Sequence, residues 1–228
     1  VGGVYLRSGA GGANDDGLNI PDGDVVINSD PTSSEYGFQA VDPVQRSIGN
    51  PNPDFILGWN NNIKIKDFSL GFLLDWREGG DLLNGVAWAL SYFGRDGLSA
   101  ETRVEAPTPI VGVKEDGSPN DIPVVRDQYY YQSSVGGFGS VWEQFVQDGG
   151  WIRLREVSLG YNLPLAQMGI DFIKSGNVSI VGRNLWYSTD YNGVDPETSL
   201  TGVGNGQGVD YFNMPSTRSV MFKLNLNL

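Results

Sequence analysis

The sequence contains neither cysteine nor histidine. No disulfide framework can form, and thiolate and imidazole metal sites are excluded. Ser-His-Asp and Cys-His catalysis are excluded with them. No stretch approaches the ~18 apolar residues of a membrane helix. Membrane β-strands stay open, because they need only ~9–11 residues of alternating pattern. The first residues, V-G-G-V-Y-L-R-S, lack a basic segment followed by an apolar core, so they are not a signal peptide. If the protein is exported, its signal lies upstream. Basic residues are few: 15 Lys and Arg stand against 27 Asp and Glu, for a net charge of −12. That balance argues against nucleic acid as a partner.

Glycine is abundant at 32 residues and aromatics make up 11%, a mix that favours strands and turns over helices. The acidity is unevenly spread. Residues 1–53, 94–149 and 188–214 hold 20 acids and 6 bases, whereas the remaining segments hold 7 acids and 9 bases. The charge therefore belongs to long connections. The segments between them alternate with the period of two that puts strand side chains on opposite faces. In the last, Val220, Phe222, Leu224, Leu226 and Leu228 point one way. Ser219, Met221, Lys223, Asn225 and Asn227 point the other. An end on the strand itself is what a closing barrel strand looks like.

Four more segments read as strands. Residues 54–66 place Phe55, Leu57, Trp59, Ile63 and Ile65 on one face, and 67–78 place Phe68, Leu70, Phe72, Leu74 and Trp76 on one face. The tight Lys66-Asp67 junction makes them a hairpin. Residues 151–163 alternate through Val157, Leu159, Tyr161 and Leu163, but their first half, I-R-L-R-E, is out of phase, as a bulge or a protein-covered segment would make it. Residues 177–188 form a less regular fourth strand and 215–228 the fifth. Residues 82–93 read as either a short helix or loop packing. Short turns alternate with long connections, the organisation of outer-membrane barrels, with the long segments outside the cell.

Several segments, in order, resemble the SusC/RagA family of TonB-linked outer-membrane transporters. Gly49-Asn50-Pro51-Asn52-Pro53-Asp54-Phe55 resembles its G-N-P-x-P-D-F, and Phe68-Ser69-Leu70 through Gly79-Gly80-Asp81 its F-x-L…G-G-D. Residues 151–164, W-I-R-L-R-E-V-S-L-G-Y-N-L-P, resemble F-x-R-L-R-x-V-S-L-G-Y-x-L-P. Gly182-Arg183-Asn184-Leu185, Tyr191-Asn192-Gly193-Val194-Asp195-Pro196-Glu197 and Pro215-Ser216-Thr217-Arg218 resemble three further family motifs. The sequence departs from the family in ending on Leu228 where an aromatic is common.

The resemblance implies an all-β fold: the C-terminal strands of a large antiparallel transmembrane β-barrel, about 22 strands when complete, with long extracellular loops. Residues 1–228 would form its C-terminal part, with strands near 54–66, 67–78, 151–163, 177–188 and 215–228. The family's plug domain lies upstream and has no counterpart in this sequence. The resemblance further implies a Gram-negative outer-membrane location in contact with lipid. It implies import of oligosaccharides or peptides, without enzymatic activity, together with a SusD-like surface lipoprotein. Drive would come from TonB through the region upstream, and the assembly could be a dimer of transporter–lipoprotein pairs. The alternative is a soluble surface β-sandwich that binds carbohydrate.

Two sets of residues are candidates for ligands. Asp15, Asp16, Asp22, Asp24 and Asp30, with Asn28, are the hard oxygen donors that Ca²⁺ prefers, and the family carries an EF-hand-like segment at this place. The spacing is imperfect and the twelfth-position Glu is missing, so an acidic solvated turn is the other reading. Tyr129, Tyr130 and Tyr131, with Trp142 nearby, offer aromatic faces either for sugar rings or for loop packing. Trp59, Trp76, Trp151, Trp186 and Tyr187 suit aromatic girdles at the membrane boundaries. Arg153, Arg155 and Glu156 would face the lumen or pair with neighbours. Gly202–Gly208 lacks the strand and helix a phosphate loop needs and reads as a flexible loop.

Overall fold

The computed structural model describes residues 2–9, 20–103, 105–133, 141–165, 168–169, 172–202 and 206–227. Its main elements are β1 (Phe55–Ile65), β2 (Phe68–Glu78), β3 (Asp81–Asn84), α1 (Gly85–Tyr92), α2 (Gly97–Thr102), α3 (Gln128–Gln132), β4 (Val146–Asp148), β5 (Trp151–Leu163), β6 (Ser175–Ser188), β7 (Val209–Asp210) and β8 (Ser219–Asn227). The chain divides into two compact units. A sheet unit holds residues 53–79, 149–198 and 214–228, and a loop unit holds 1–52, 80–148 and 199–213.

The sheet unit is built on one five-stranded sheet in the order β8-β6-β5-β2-β1, every pair antiparallel. The β1–β2 hairpin turns over two residues, Lys66 and Asp67, with Lys66 in the left-handed region at φ 53°. A turn with positive φ matches the twist of its flanking strands. β2 exits through Gly79 and Gly80, at φ 69° and 85°. A side chain at Gly79 would also meet the Asp54 carboxylate at 2.6 Å, so the G-G step serves both conformation and space.

The phase switch in β5 is a bulge. Leu73 pairs with Glu156 and the next residue, Leu74, pairs with Leu154, leaving Arg155 as the extra residue. Against β6, Arg183 pairs with Glu156 and Trp186 with Leu154, so β6 carries an extra residue of its own at Asn184–Leu185. Each bulge moves the chain by half a pleat period. Ile152 and Leu154 thereby join Val157, Leu159 and Tyr161 on one face. Pairing extends that face through Phe68, Leu70, Phe72, Leu74 and Trp76 on β2 and through Val220, Phe222, Leu224 and Leu226 on β8.

Asn184 adopts φ 51° at its bulge, and its Nδ2 donates to the Thr217 carbonyl at 3.0 Å. A β-branched residue cannot take that conformation without strain. Asn184→Val should therefore destabilise the protein by about 1–2 kcal/mol, and Asn184→Gly by less. Denaturant unfolding of the two variants would check the order, and a reversal would show that the bulge does not depend on this φ.

The loop unit is made of short pieces. β3 pairs parallel with β7 and antiparallel with β4. The helix expected as one reading of residues 82–93 forms over its later part, because Asn84 caps α1 by accepting from Ala87 N at 2.9 Å. Asp96 caps α2 and Asp127 caps α3 in the same way. Phe38, Val124, Tyr130 and Tyr131 form its core cluster, with Ile110 packed against it.

Candidate functional site

The two faces of the sheet carry opposite chemistry. On the apolar face, Trp59, Leu159, Val220, Phe222 and Leu224 are each more than half exposed, and Phe222 reaches 78%. Phe68, Leu159, Tyr161, Ile180 and Phe222 line an open depression of about 680 Å³ within it. Such a surface in water is costly at ~25 cal/mol per Å².

The opposite face gathers charge at the bulge. An alternating strand would send Arg153 and Glu156 to opposite faces, but the extra residue brings both to this side. Arg155 Nε donates to Asp75 Oδ2 at 2.6 Å, and its Nη1 donates to Glu197 Oε2 at 2.6 Å; its Nη2 also pairs with Glu197 Oε1. Arg183 Nε donates to Glu156 Oε2 at 2.9 Å.

The centre of this cluster is buried. The side chains of Arg153 and Asp195 are 1% and 3% exposed, and Arg153 Nη2 donates to Asp195 Oδ1 at 2.6 Å. Ser216 donates to Asp195 Oδ2 from its N at 3.0 Å and from its Oγ at 2.6 Å, and Glu197 N donates to Oδ1 at 3.1 Å. Arg153 Nη1 donates to Ser216 Oγ at 2.6 Å. Burial works to raise the Asp195 carboxyl, but Arg153, Ser216 and the two backbone N–H groups outweigh it and hold the carboxyl below its ordinary value.

Arg153 also lies over the rings of Trp151 and Tyr187, at 5.4 and 5.0 Å, and Arg155 lies over Trp151 at 4.9 Å. Trp151 is 7% exposed. The girdle expectation therefore does not hold for Trp151 and Tyr187. The bulge reverses their phase and sets them on the charged face, whereas Trp59, Trp76 and Trp186 keep to the apolar face. Chemically the cluster is a clamp. It ties the Asp195-Pro196-Glu197 turn and the segment entering β8 to the middle of the sheet, and it presents no nucleophile.

Three motifs far apart in sequence thus meet at one point: R-L-R on β5, D-P-E after β6 and P-S-T-R before β8. Comparison with known proteins agrees with this. The chain is 26% identical to TonB-dependent receptor P3 of Formosa agariphila across 92% of its length, and 30% identical to TonB-dependent receptor P26 of the same organism across 78%. It spans 20% and 17% of those proteins, about a fifth of their length. It superposes on the RagAB peptide importer in a "closed-closed" state with a TM-score of 0.54 at 19% identity, covering 97% of this chain and 20% of that one. An "open-open" state of the same importer gives 0.54 at 17%, covering 99% and 22%. The chain is thus similar to one part of the TonB-dependent receptors, and its fold is that of one part of the RagAB importer. No family model matches the chain.

The other candidate residues lie in the loop unit. Tyr130 and Tyr131 are 6% and 5% exposed, with ring centroids 5.1 Å apart, and Tyr130 meets Phe38 edge-on at 5.1 Å. Their rings are core, and burial raises the Tyr130 phenol. Only Tyr129 presents its ring, at 48%. Trp142 packs at a tilt of 49° against Trp88, with ring centroids 5.8 Å apart. Tyr130→Ala should cost about 3–5 kcal/mol of stability and Tyr129→Ala well under 1. Equal effects in thermal unfolding would contradict this core assignment.

Asp22, Asp24 and Asp30 are exposed. Asp30 Oδ1 accepts from Thr32 N at 2.8 Å, and Asn28 Oδ1 accepts from Asp30 N at 3.1 Å, so both serve the turn. Asp15 and Asp16 lie outside the described residues. Among the described residues no three acidic groups come together as a metal site. The sequence signalled the clamp's arginines but not their partners, which lie 42, 63 and 80 residues away.

Proposed function

We propose that this chain forms part of the wall and outer connections of an outer-membrane barrel that imports oligosaccharides or peptides. A SusD-like surface lipoprotein would act with it, and TonB would drive it through parts of the receptor outside this sequence. The observation that carries the reading is the two-faced sheet. Five strands share one apolar face, much of it exposed, opposite a face that carries the ion pairs of the clamp. Lipid solvates the first and an aqueous or plugged lumen the second. A soluble carbohydrate-binding sandwich would bury its apolar face against a second sheet, and Phe222 at 78% exposed is not so covered.

The long connections 79–150 and 189–214 would then face outside the cell and the Lys66-Asp67 turn the periplasm. The acidity of those connections disfavours nucleic acid. The test is extraction from native outer membranes. The receptor should stay insoluble in plain buffer, enter detergent, and carry a surface lipoprotein with it. Cells lacking it should lose uptake of one glycan or peptide class. Extraction of the intact protein in plain buffer would overturn the reading.

A further inference from the structure

Five arginines are ion-paired to carboxylates: Arg7 to Glu143, Arg46 to Asp42, Arg153 to Asp195, Arg155 to Asp75 and Glu197, and Arg183 to Glu156. Arg103 and Arg126 have no carboxylate within ion-pair distance among the described residues, and both line one pocket of the loop unit. They belong to residues 94–149, which hold nine acids and four bases. In so acidic a stretch, two of the four bases line one cavity with no carboxylate among the described residues within ion-pair distance of either.

The pocket measures about 480 Å³ and lies among α1, α2 and α3. That is within the ~300–1,000 Å³ usual for small-ligand sites. Its floor is Tyr131 and Ser99, 5% and 1% exposed. Tyr92 and Phe93 form an aromatic wall, their rings perpendicular with centroids 5.0 Å apart, and Phe93 is 61% exposed. Gln128 and Gln132 add amides, joined by a 3.2 Å hydrogen bond.

The two guanidinium groups are oriented. Arg103 Nε donates to the Ser99 carbonyl at 2.9 Å and its Nη2 to the Gly94 carbonyl at 2.5 Å. Arg126 Nη2 reaches Thr108 Oγ1 at 3.5 Å, while its Nε is shielded from solvent without a hydrogen-bond partner. The one carboxylate lining the pocket, Asp127, spends Oδ1 on the N–H groups of Tyr129 and Tyr130, at 2.9 and 3.2 Å, as the cap of α3. Two cations facing one cavity repel each other, and a bound anion relieves the repulsion.

We propose that this pocket binds an anionic sugar residue. Arg103 and Arg126 hold its carboxylate or sulfate, the Gln128 and Gln132 amides meet hydroxyls, and Phe93 stacks on the apolar face of the ring. Helices line the pocket and no strand edge does, so an extended acidic peptide has no main chain to pair with there. The inference rests on the import reading and narrows its substrate class.

The test uses the full-length receptor with its lipoprotein in detergent, titrated calorimetrically with four probes. These are hexagalacturonate, a sulfated carrageenan hexaose, neutral maltohexaose and hexaglutamate. One or both anionic sugars should bind, with an affinity that falls as salt rises. Arg103→Gln and Arg126→Gln should each weaken that binding about tenfold or more, and lysine at either position less. Phe93→Ala, at an exposed wall, should weaken it without altering the melting temperature. The uronate and sulfate arms separate the two sources of anion.

The proposal is overturned if neither anionic sugar binds, if both Gln variants bind as wild type, or if hexaglutamate binds more tightly than either. Uptake of an anionic hexaose that the Gln variants retain in full would leave the import reading standing while this pocket fails. Absence of uptake of all four probes by wild-type cells would count against the import reading instead.

Discussion

Replacing Asp195 with alanine is expected to cost the protein about 3–5 kcal/mol, the usual cost of leaving a buried charge unpaired. Arg153, 1% exposed, would keep the Ser216 hydroxyl, a glancing contact with Glu197 at 3.4 Å and the rings of Trp151 and Tyr187, but no close carboxylate. Glu156→Ala is the matched control. Its pair with Arg183 is 37% and 52% exposed, and pairs of that kind contribute under about 1 kcal/mol. Guanidinium unfolding of the full-length protein in detergent, followed by tryptophan fluorescence, would compare the two. Equal midpoints would show that the clamp does not hold the sheet unit together. Replacing both Arg153 and Asp195 with leucine should recover part of the loss, since the stranded charge is gone.

The same pair fixes a pH dependence. The Asp195 carboxyl is held below its ordinary value in the folded protein. The unfolded chain therefore binds the proton more readily, and the pair's stabilisation is present in full above the ordinary carboxyl value of about 3.9. It is lost as pH falls below that value. Wild type and Asp195→Asn should accordingly differ by a constant amount between pH 5 and 8 and converge only in stronger acid. A difference that shrinks already near pH 6 would mean another group carries the linkage.

The second large effect belongs to the opposite face. Leu224→Arg should cost roughly 2–4 kcal/mol if its position lies near the membrane midplane. Leu224 is 61% exposed in the apolar row of β8 and is paired with Val178. Lys223→Leu, one residue away on the charged face, should cost little. Folding from urea into lipid vesicles, read by the altered electrophoretic mobility of the folded form, distinguishes the two. Equal yields would mean that this row does not face lipid.

Much of this was legible in the residues. Alternation located the long strands to within a few residues, because a pleat repeats every two residues and one apolar face leaves no other register. The broken phase of I-R-L-R-E offered a bulge as one of two readings, and the structure has it. The tyrosine run was less legible. Residues 129–131 look alike in sequence, yet α3 turns two of them into the core and one to solvent, since a helical turn separates neighbours by about 100°. Trp151 and Tyr187 were misplaced because a girdle is inferred from position along a strand, and the bulges changed their face.

By itself, then, the sequence determined the strands, their apolar rows, the short turn and the acidic connections, all of which depend on neighbours a few residues apart. The tertiary structure alone decided which carboxylate meets Arg153, which arginines remain unpaired, and which tyrosine stays outside. The first of those outcomes depends on residues 42 and 63 positions apart being brought within 3 Å of Arg153, and only the order and register of the strands fix such distances.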